Sequence, residues 1–502
     1  MSTRVPSRGD IYDALRTGKA LICAPGEKPD VGAWLDFTTA LLKVLRDPDI
    51  TPHPDGLTIQ GAYFADGLKL NNYAINHDLR FENCTFPLPV EAKYAKFRSL
   101  YFSECTVSSI NLESSLIDGT FYIVNPTVGR KNKPFINFLN LLDTKITRGF
   151  FTSGLNTSSD INATKAEILV YFHIENSVFE NLTLSSATIN GELVLADATL
   201  TNPEGHALTL DRATITGSLF AEKLEAEGEV YAPGATINGQ LNLTDATLTN
   251  PEGHALTLDR ATITDLFLNY KTVDRKISLA NTRISYLRTP DVIEPRHGKI
   301  LATGWKVNSI EGALHTNPET AKKWLATTPD NEFSPQPFME LARYFDRVGL
   351  PHRARHLRVY SHSQVTNNMP LKYRPGRWML HVMSGYGERP WYALVCIVLL
   401  FELTWLLTWW QADHLEAGDQ VWAVCRDGWR ITEYAVKITD YAGKNAIPSF
   451  PGATTKCSLA DDTPIWLRLS FAFTAGLSWI MLTIFLAGVA GILRKPADSS
   501  TS

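Results

Sequence analysis

The chain has 502 residues, enough for two to four structural units. It is 44% hydrophobic and 20% charged, with a formal net charge of −4. That balance excludes the concentrated basic excess of a nucleic-acid-binding domain, so no nucleic-acid partner is expected.

The N-terminal stretch through Asp30 lacks the apolar core of a secretory signal. Residues 1–370 are therefore expected to stay in the cytosol. Residues 1–58 read as a helical cap: over 30–47, Trp34, Phe37, Leu41, Leu42 and Leu45 fall on one helical face.

Residues 59–290 carry the strongest signal. Residues 197–216 read DATLTNPEGHALTLDRATIT, and 245–264 repeat them letter for letter, 48 residues on. A weaker motif, A-T-I-x-G-x-L, starts at Ala187, Ala213 and Ala235, and at Ala261 with Asp265 in place of the glycine. Repeats of this length mean a solenoid. Leu193–Leu195, Leu208–Leu210, Leu241–Leu243 and Leu256–Leu258 alternate with polar residues, which is the period of a strand. The spacing predicts a mainly β fold, a right-handed parallel β-helix of pentapeptide-like coils. Ile189, Leu193, Leu195, Ile215, Leu219, Ile237, Leu241, Leu243 and Ile263 would form its inner ladders. Looser copies run upstream to residue 61 and downstream to 287, giving roughly ten coils and a rod on the order of 50 Å. Such a rod has open strand edges at its ends, and the helix over 30–47 would cover one.

Pro203-Glu204-Gly205 and Pro251-Glu252-Gly253 are turn chemistry and should protrude. His206 and His254 beside them would stand two coils, roughly 10 Å, apart, too far to share a metal ion without bending. Cys23, Cys84 and Cys105 have no metal-ligand spacing and read as buried or free thiols. No metal site and no cofactor is expected.

Residues 291–388 form a helical neck. Residues 335–365 read as one tetratricopeptide-type hairpin, with Phe338, Leu341, Ala342 and Phe345 on a stripe and Gly349 and Pro351 at the turn. Its second helix is basic, with Arg353, Arg355 and Arg358, followed by Lys372, Arg374 and Arg377. The cluster is either a solvated face or a contact with anionic lipid headgroups.

Residues 389–411 and 465–494 read as transmembrane helices. The first contains WYALVCIVLLFELTWLLTWW (391–410), 20 residues that cover a hydrocarbon layer of roughly 30 Å. Arg374, Arg377 and Arg389 precede it, and Arg494 and Lys495 follow the second span. The loop over 411–464 has five Lys/Arg against eight Asp/Glu. The positive-inside rule places both termini in the cytoplasm, with 412–464 outside and 495–502 as a cytoplasmic tail. Cys425 and Cys457 in that loop would meet an oxidising compartment and are candidates for a disulfide. Glu402 is an intramembrane acid, either functional or hydrogen-bonded to the other span. Ala472, Ala475, Gly476, Ala487, Gly488 and Gly491 favour close helix packing, within the chain or in a homo-oligomer. Ser384-Gly385-Tyr386-Gly387 has the letters of a potassium-channel filter, but it precedes the first span instead of lying between two.

The junction Gly385-Tyr386-Gly387-Glu388-Arg389-Pro390-Trp391, with Phe338-x-x-Leu341-Ala342 and GAYFADGLKLNN (61–72), resembles a family of bacterial membrane proteins common in actinobacteria. The family has pentapeptide-like β-helical repeats, a helical hairpin and two spans, and its members are often labelled membrane-associated oxidoreductases. The resemblance implies a two-pass protein of the bacterial inner membrane. The oxidoreductase label has no counterpart in the residues: no G-x-G-x-x-G follows a strand and no C-x-x-C is present.

Three functional readings remain. The first is a membrane-anchored scaffold that offers its solenoid to a cytosolic protein, with the bilayer as its other partner. The second is a channel, transport or membrane-signalling component regulated by the β-helix, built on Glu402 and the small-residue face. The third is an enzyme using Asp197, Asp211, Asp245 and Asp259, although carboxylates at repeat positions usually serve the stacking turn.

Overall fold

The computed structural model describes residues 5–24, 29–124, 136–155, 160–292, 299–326, 333–389, 391–410, 415–417, 439, 442–443, 457–459 and 464–489. The chain divides into two compact units, Met1–Tyr344 and Phe345–Ser502.

The first unit is a parallel β-solenoid of about 11 turns. Among the described residues its strands form two stacked parallel sheets, one of 18 strands and one of 16. The period-two pattern explains the wall: all nine expected ladder residues are buried, none more than 4% exposed. The upstream coils are filled by Phe64, Phe81, Phe86, Phe102, Phe121, Phe150 and Phe172, with successive rings 4.4 to 6.5 Å apart. Downstream coils use Leu, Ile and Ala instead.

The corners explain the motif. In Leu184–Ala187, Leu210–Ala213 and Leu258–Ala261 the alanine N–H donates to the leucine carbonyl at 3.0 Å. The third residue of each, Ser186, Arg212 and Arg260, is left-handed with φ of 55°, 52° and 59°. A second corner repeats the device at Asp197, Lys223 and Asp245, with φ of 54°, 54° and 59°. Left-handed residues other than glycine are strained by about 1–2 kcal/mol each, so the ladder bonds on both sides must hold them.

The motif glycine has a different cause. At Gly191, Gly217 and Gly239 a Cβ would stand 1.6, 2.6 and 2.5 Å from the carbonyl oxygen of Val170, Gly191 and Gly217 in the preceding coil. The apparent Gly-to-Asp exchange at Asp265 is a deletion. Ile263 pairs with Ile237 but Asp265 pairs with Gln240, so this coil is one residue shorter and the glycine column ends.

Both ends of the rod are covered. Helix α1 (Arg8–Thr17) is closed by a Ser7/Asp10 capping box, and α2 (Val31–Leu45) starts on Asp30, whose side chain accepts from Gly32 and Ala33 N–H. Trp34, Phe37, Leu41 and Leu45 are buried as expected; Val44 joins them and Leu42 stays half-buried. Phe37 meets Phe64 of the first coil at 5.9 Å. The strands extend beyond residues 59–290. Leu21–Ile22 pairs with the strand at Leu57–Gln60, and Leu325–Ala326 closes the smaller sheet. At the far end come α3 (Ala313–Thr316), α4 (Pro318–Trp324) and α5 (Gln336–Arg347). Gln336 bonds Gly304 N–H and the Trp305 carbonyl, and the Tyr344 hydroxyl donates to the Ile310 carbonyl at 2.8 Å.

The second unit contains α6 (Pro351–Asn368), α7 (Arg374–Ser384), α8 (Trp391–Trp410) and α9 (Ile465–Val489). Two stretches, Trp391–Trp410 and Arg468–Ala487, are long and apolar enough to cross a membrane, and only 17% and 22% of their apolar windows are buried. A core helix of a soluble protein would be mostly covered. Met383, Ala393 and Met481 pack together where α7, α8 and α9 meet. Buried along the two apolar helices are the small hydroxyls Thr404, Thr408, Thr474 and Ser478, whereas Ala472 and Gly476 of the expected small-residue stripe are exposed and a Cβ at Gly476 would meet no atom within 4 Å.

Candidate functional site

The outer wall of the larger sheet carries the feature most distinct from a plain solvated surface. Alternate residues point outward, so equivalent positions of neighbouring coils stack. The register places Arg80, Tyr101, Tyr122, Phe151, His173, Val194 and Phe220 in one column. From Tyr101 to Phe220 all are half-buried, with part of each side chain open to solvent. Tyr101 and Tyr122 lie 6.0 Å apart, Tyr122 and Phe151 stack at 5.0 Å and 11°, and Phe151 and His173 lie 6.3 Å apart. The Arg80 guanidinium sits 4.8 Å over the Tyr101 ring. Tyr171 adds a ring 5.0 Å from His173. Such a strip offers flat apolar faces with little conformational freedom to lose on contact, the composition of a binding surface. Sequence reading missed it because the rings recur at irregular intervals.

The two Pro-Glu-Gly segments differ from the expectation of a pair of turns. The first is a bulge inside the strand Thr199–Thr209, where Thr201 and His206 pair with Glu227 and Glu229 of the next coil, and only the second is a bend, between the strands Thr247–Thr249 and His254–Thr257. In each copy an asparagine, Asn202 or Asn250, spans the segment by donating to the carbonyl of His206 or His254. The coil between the copies supplies Glu229, which lies 3.2 Å from His206 Nδ1 and accepts from Thr257. His206 also stacks on Tyr231 at 4.3 Å. Its carboxylate contact holds the ring against the wall.

The repeated carboxylates serve the corners. Asp197 and Asp245 are left-handed corner residues, Asp211 holds Arg212, and Asp259 accepts from Ser278 and from Ala280 N–H. Cys84 and Cys105 are buried and donate to backbone carbonyls, and burial pushes the Cys105 thiol well above its usual range. Among the described residues no group of three or more His, Cys, Asp or Glu is arranged to hold a metal ion.

The junction is built around Tyr386. Gly385, Tyr386 and Gly387 are all left-handed, with φ of 55°, 61° and 86°. This turn ends α7: Gly385 N–H returns to the His381 carbonyl and Arg389 N–H to that of Ser384. Tyr386 lies 5.5 Å from the His362 ring and 4.9 Å from the His381 ring, its hydroxyl donates to Thr366, and Arg377 sits 6.0 Å over it. Burial first, and then the Arg377 cation, hold His362 below the usual histidine range.

The basic cluster separates into two groups. Arg358 donates to Glu388 at 2.8 Å and to Asp346 at 2.6 Å, so its charge is spent inside the unit. Arg377 is engaged on Tyr386. Arg353 lies 5.9 Å over Phe345, and Arg374 donates to the Met369 carbonyl. Lys372 is exposed and Arg355 half-exposed. At the start of α8, Arg389 donates to the Tyr392 hydroxyl and Trp391 is 55% exposed; Pro390 lies outside the described residues.

Glu402 is exposed on α8, whereas Thr404 and Thr408 of that helix are buried. Cys425 lies outside the described residues; Cys457 begins the strand Cys457–Leu459, which pairs with Leu415–Ala417. No family model, curated protein or solved structure matches the chain.

Proposed function

We propose that the protein is a membrane-anchored scaffold whose solenoid offers the aromatic column on its larger sheet to a cytosolic protein. The column from Tyr101 to His173 carries this reading. It concentrates rings on one face. The solenoid supplies the rigidity: the rings are held by ladder pairing, so contact orders few new side chains. The cytoplasmic placement rests on the cations before α8 and the acidic excess of the loop after it. The resemblance to two-pass bacterial membrane proteins agrees with it.

The test is crosslinking capture from membranes with the full chain, comparing three forms. A protein captured by the wild type and by a Glu225→Ala control on the other sheet, but lost in a Tyr101→Ser/Tyr122→Ser/Phe151→Ser variant, supports the reading. Equal capture by all three, or capture by none with the fold intact, removes it. A second reading, a transport component, is favoured by Glu402 alone. An acid on the outer face of a span calls for a neighbouring helix, which copies of the chain would supply. Absence of current in voltage-clamped bilayers would remove that role.

A further inference from the structure

We propose that α7 is an interfacial helix, lying in the headgroup region of a bilayer with Pro375, Trp378, Met379 and Val382 turned into the lipid. The inference rests on the reading of α8 and α9 as membrane spans and adds a third attachment beside them.

Those four residues stand at i, i+3, i+4 and i+7, one stripe of a helix. Trp378 is 65% exposed and Met379 and Val382 are each 45% exposed; Pro375 is exposed as well. Leu371 and Tyr373, in the turn before α7, extend the apolar surface at 76% and 58%. The stripe is not the face that packs inside the unit. That face is formed by Met383 and Ser384, with Met383 seated against Ala393 of α8 and Met481 of α9. Arg374, Arg377 and His381 occupy the edge between the two.

Three observations identify the occupant as lipid. First, α7 packs through Met383 on both apolar helices and is joined to α8 by the left-handed turn at Gly385–Gly387, so an open apolar stripe belongs to the same unit as two largely uncovered apolar helices. Second, the side chains are those of a membrane boundary: Trp378 and Tyr373 carry an apolar body with a polar tip, and exposed Lys372 stands beside them. Third, the cations most able to compete for phosphate are already committed. Arg358 is held by two carboxylates and Arg377 lies over Tyr386. Attachment therefore runs through the apolar stripe, with Lys372 and Arg374 as its charged margin.

The experiment uses the full chain reconstituted in phosphatidylcholine vesicles containing a minor fraction of phosphatidylglycerol. Nitroxide labels are placed singly at Trp378→Cys, Val382→Cys, Asn367→Cys on α6 and Leu399→Cys on α8, with the native cysteines replaced by alanine. Relaxation by oxygen against a water-soluble nickel chelate reports depth. The labels at 378 and 382 are expected to give an oxygen-to-nickel ratio several-fold above that at 367, at a depth of about 5–10 Å, with 399 deeper. Ratios at 378 and 382 equal to that at 367, with 399 deep, overturn the interfacial helix and leave the spans standing. A watery ratio at 399 overturns the membrane reading itself. Labels at 378 and 382 shielded from both relaxants and broadened by spin–spin coupling mean that a second copy covers the stripe, which also overturns the proposal.

Discussion

Gly191→Ala is the sharpest test of how the coils stack. The added methyl would stand 1.6 Å from the Val170 carbonyl oxygen, against an ordinary contact of 3.4–4 Å. Both sides of the clash are backbone, so no rotamer relieves it. The coil must lift locally by about 2 Å, a large fraction of the ~4.8 Å rung. That displacement breaks the Asn190 N–H bond to the Ile168 carbonyl, now 2.8 Å, and strains the pairing of Phe172 with Leu193. Losing one or two ladder bonds costs about 0.5–1.5 kcal/mol each, and the strain in the packed interior adds about 1–3 kcal/mol. The sum, about 1.5–6 kcal/mol, is a large share of a typical stability of about 5–15 kcal/mol. Gly217→Ala and Gly239→Ala, with clashes at 2.6 and 2.5 Å, should cost less; exposed Glu192→Ala should cost almost nothing. Urea unfolding of the full chain in detergent, followed by far-ultraviolet circular dichroism, measures all four. A Gly191→Ala midpoint equal to that of Glu192→Ala would show that the glycine column does not set the coil spacing.

Three further outcomes follow from the packing. Trp34→Ala removes a side chain that is 1% exposed and rests on Phe37, so it should cost about 3–5 kcal/mol and bare the first coil; light scattering on mild heating should rise earlier than in the wild type. Arg358→Ala strands the buried Glu388 carboxylate at a cost of about 3–5 kcal/mol, read from the helical signal on thermal unfolding, and Arg358→Ala with Glu388→Ala should recover most of it. His77 and His362 are both held below the usual histidine range, chiefly by burial. The unfolded chain therefore binds their protons first, and stability falls as pH drops below about 6.5, by at most about 1.4 kcal/mol per histidine for each pH unit within the shifted window. Urea midpoints that do not fall between pH 7 and pH 5.5 in the wild type, or fall equally in a His77→Gln/His362→Gln variant, would contradict this.

The inner wall was legible because its cause is local. Alternation at Leu193–Leu195 or Leu241–Leu243 needs only the strand period, and the identical blocks over 197–216 and 245–264 fix the coil length. The outer column was not. Tyr101, Tyr122, Phe151 and His173 are 21, 29 and 22 residues apart, since coils differ in the loops they carry, and only hydrogen-bonded register aligns them. Register also separates deletion from substitution at Asp265, which one-dimensional matching cannot. In the neck the letters show the cations but not their partners. Arg358 finds Glu388 thirty residues away across a turn whose three left-handed residues no spacing rule announces. The i, i+3, i+4, i+7 stripe of α7 was present in the letters throughout. Its meaning depends on which face the neighbouring helices leave open, and packing of Met383 against α8 and α9 decides that. Local periodicity thus writes the rod into the chain, while the surfaces a partner or a bilayer can touch depend on long-range register and on which charges are already paired.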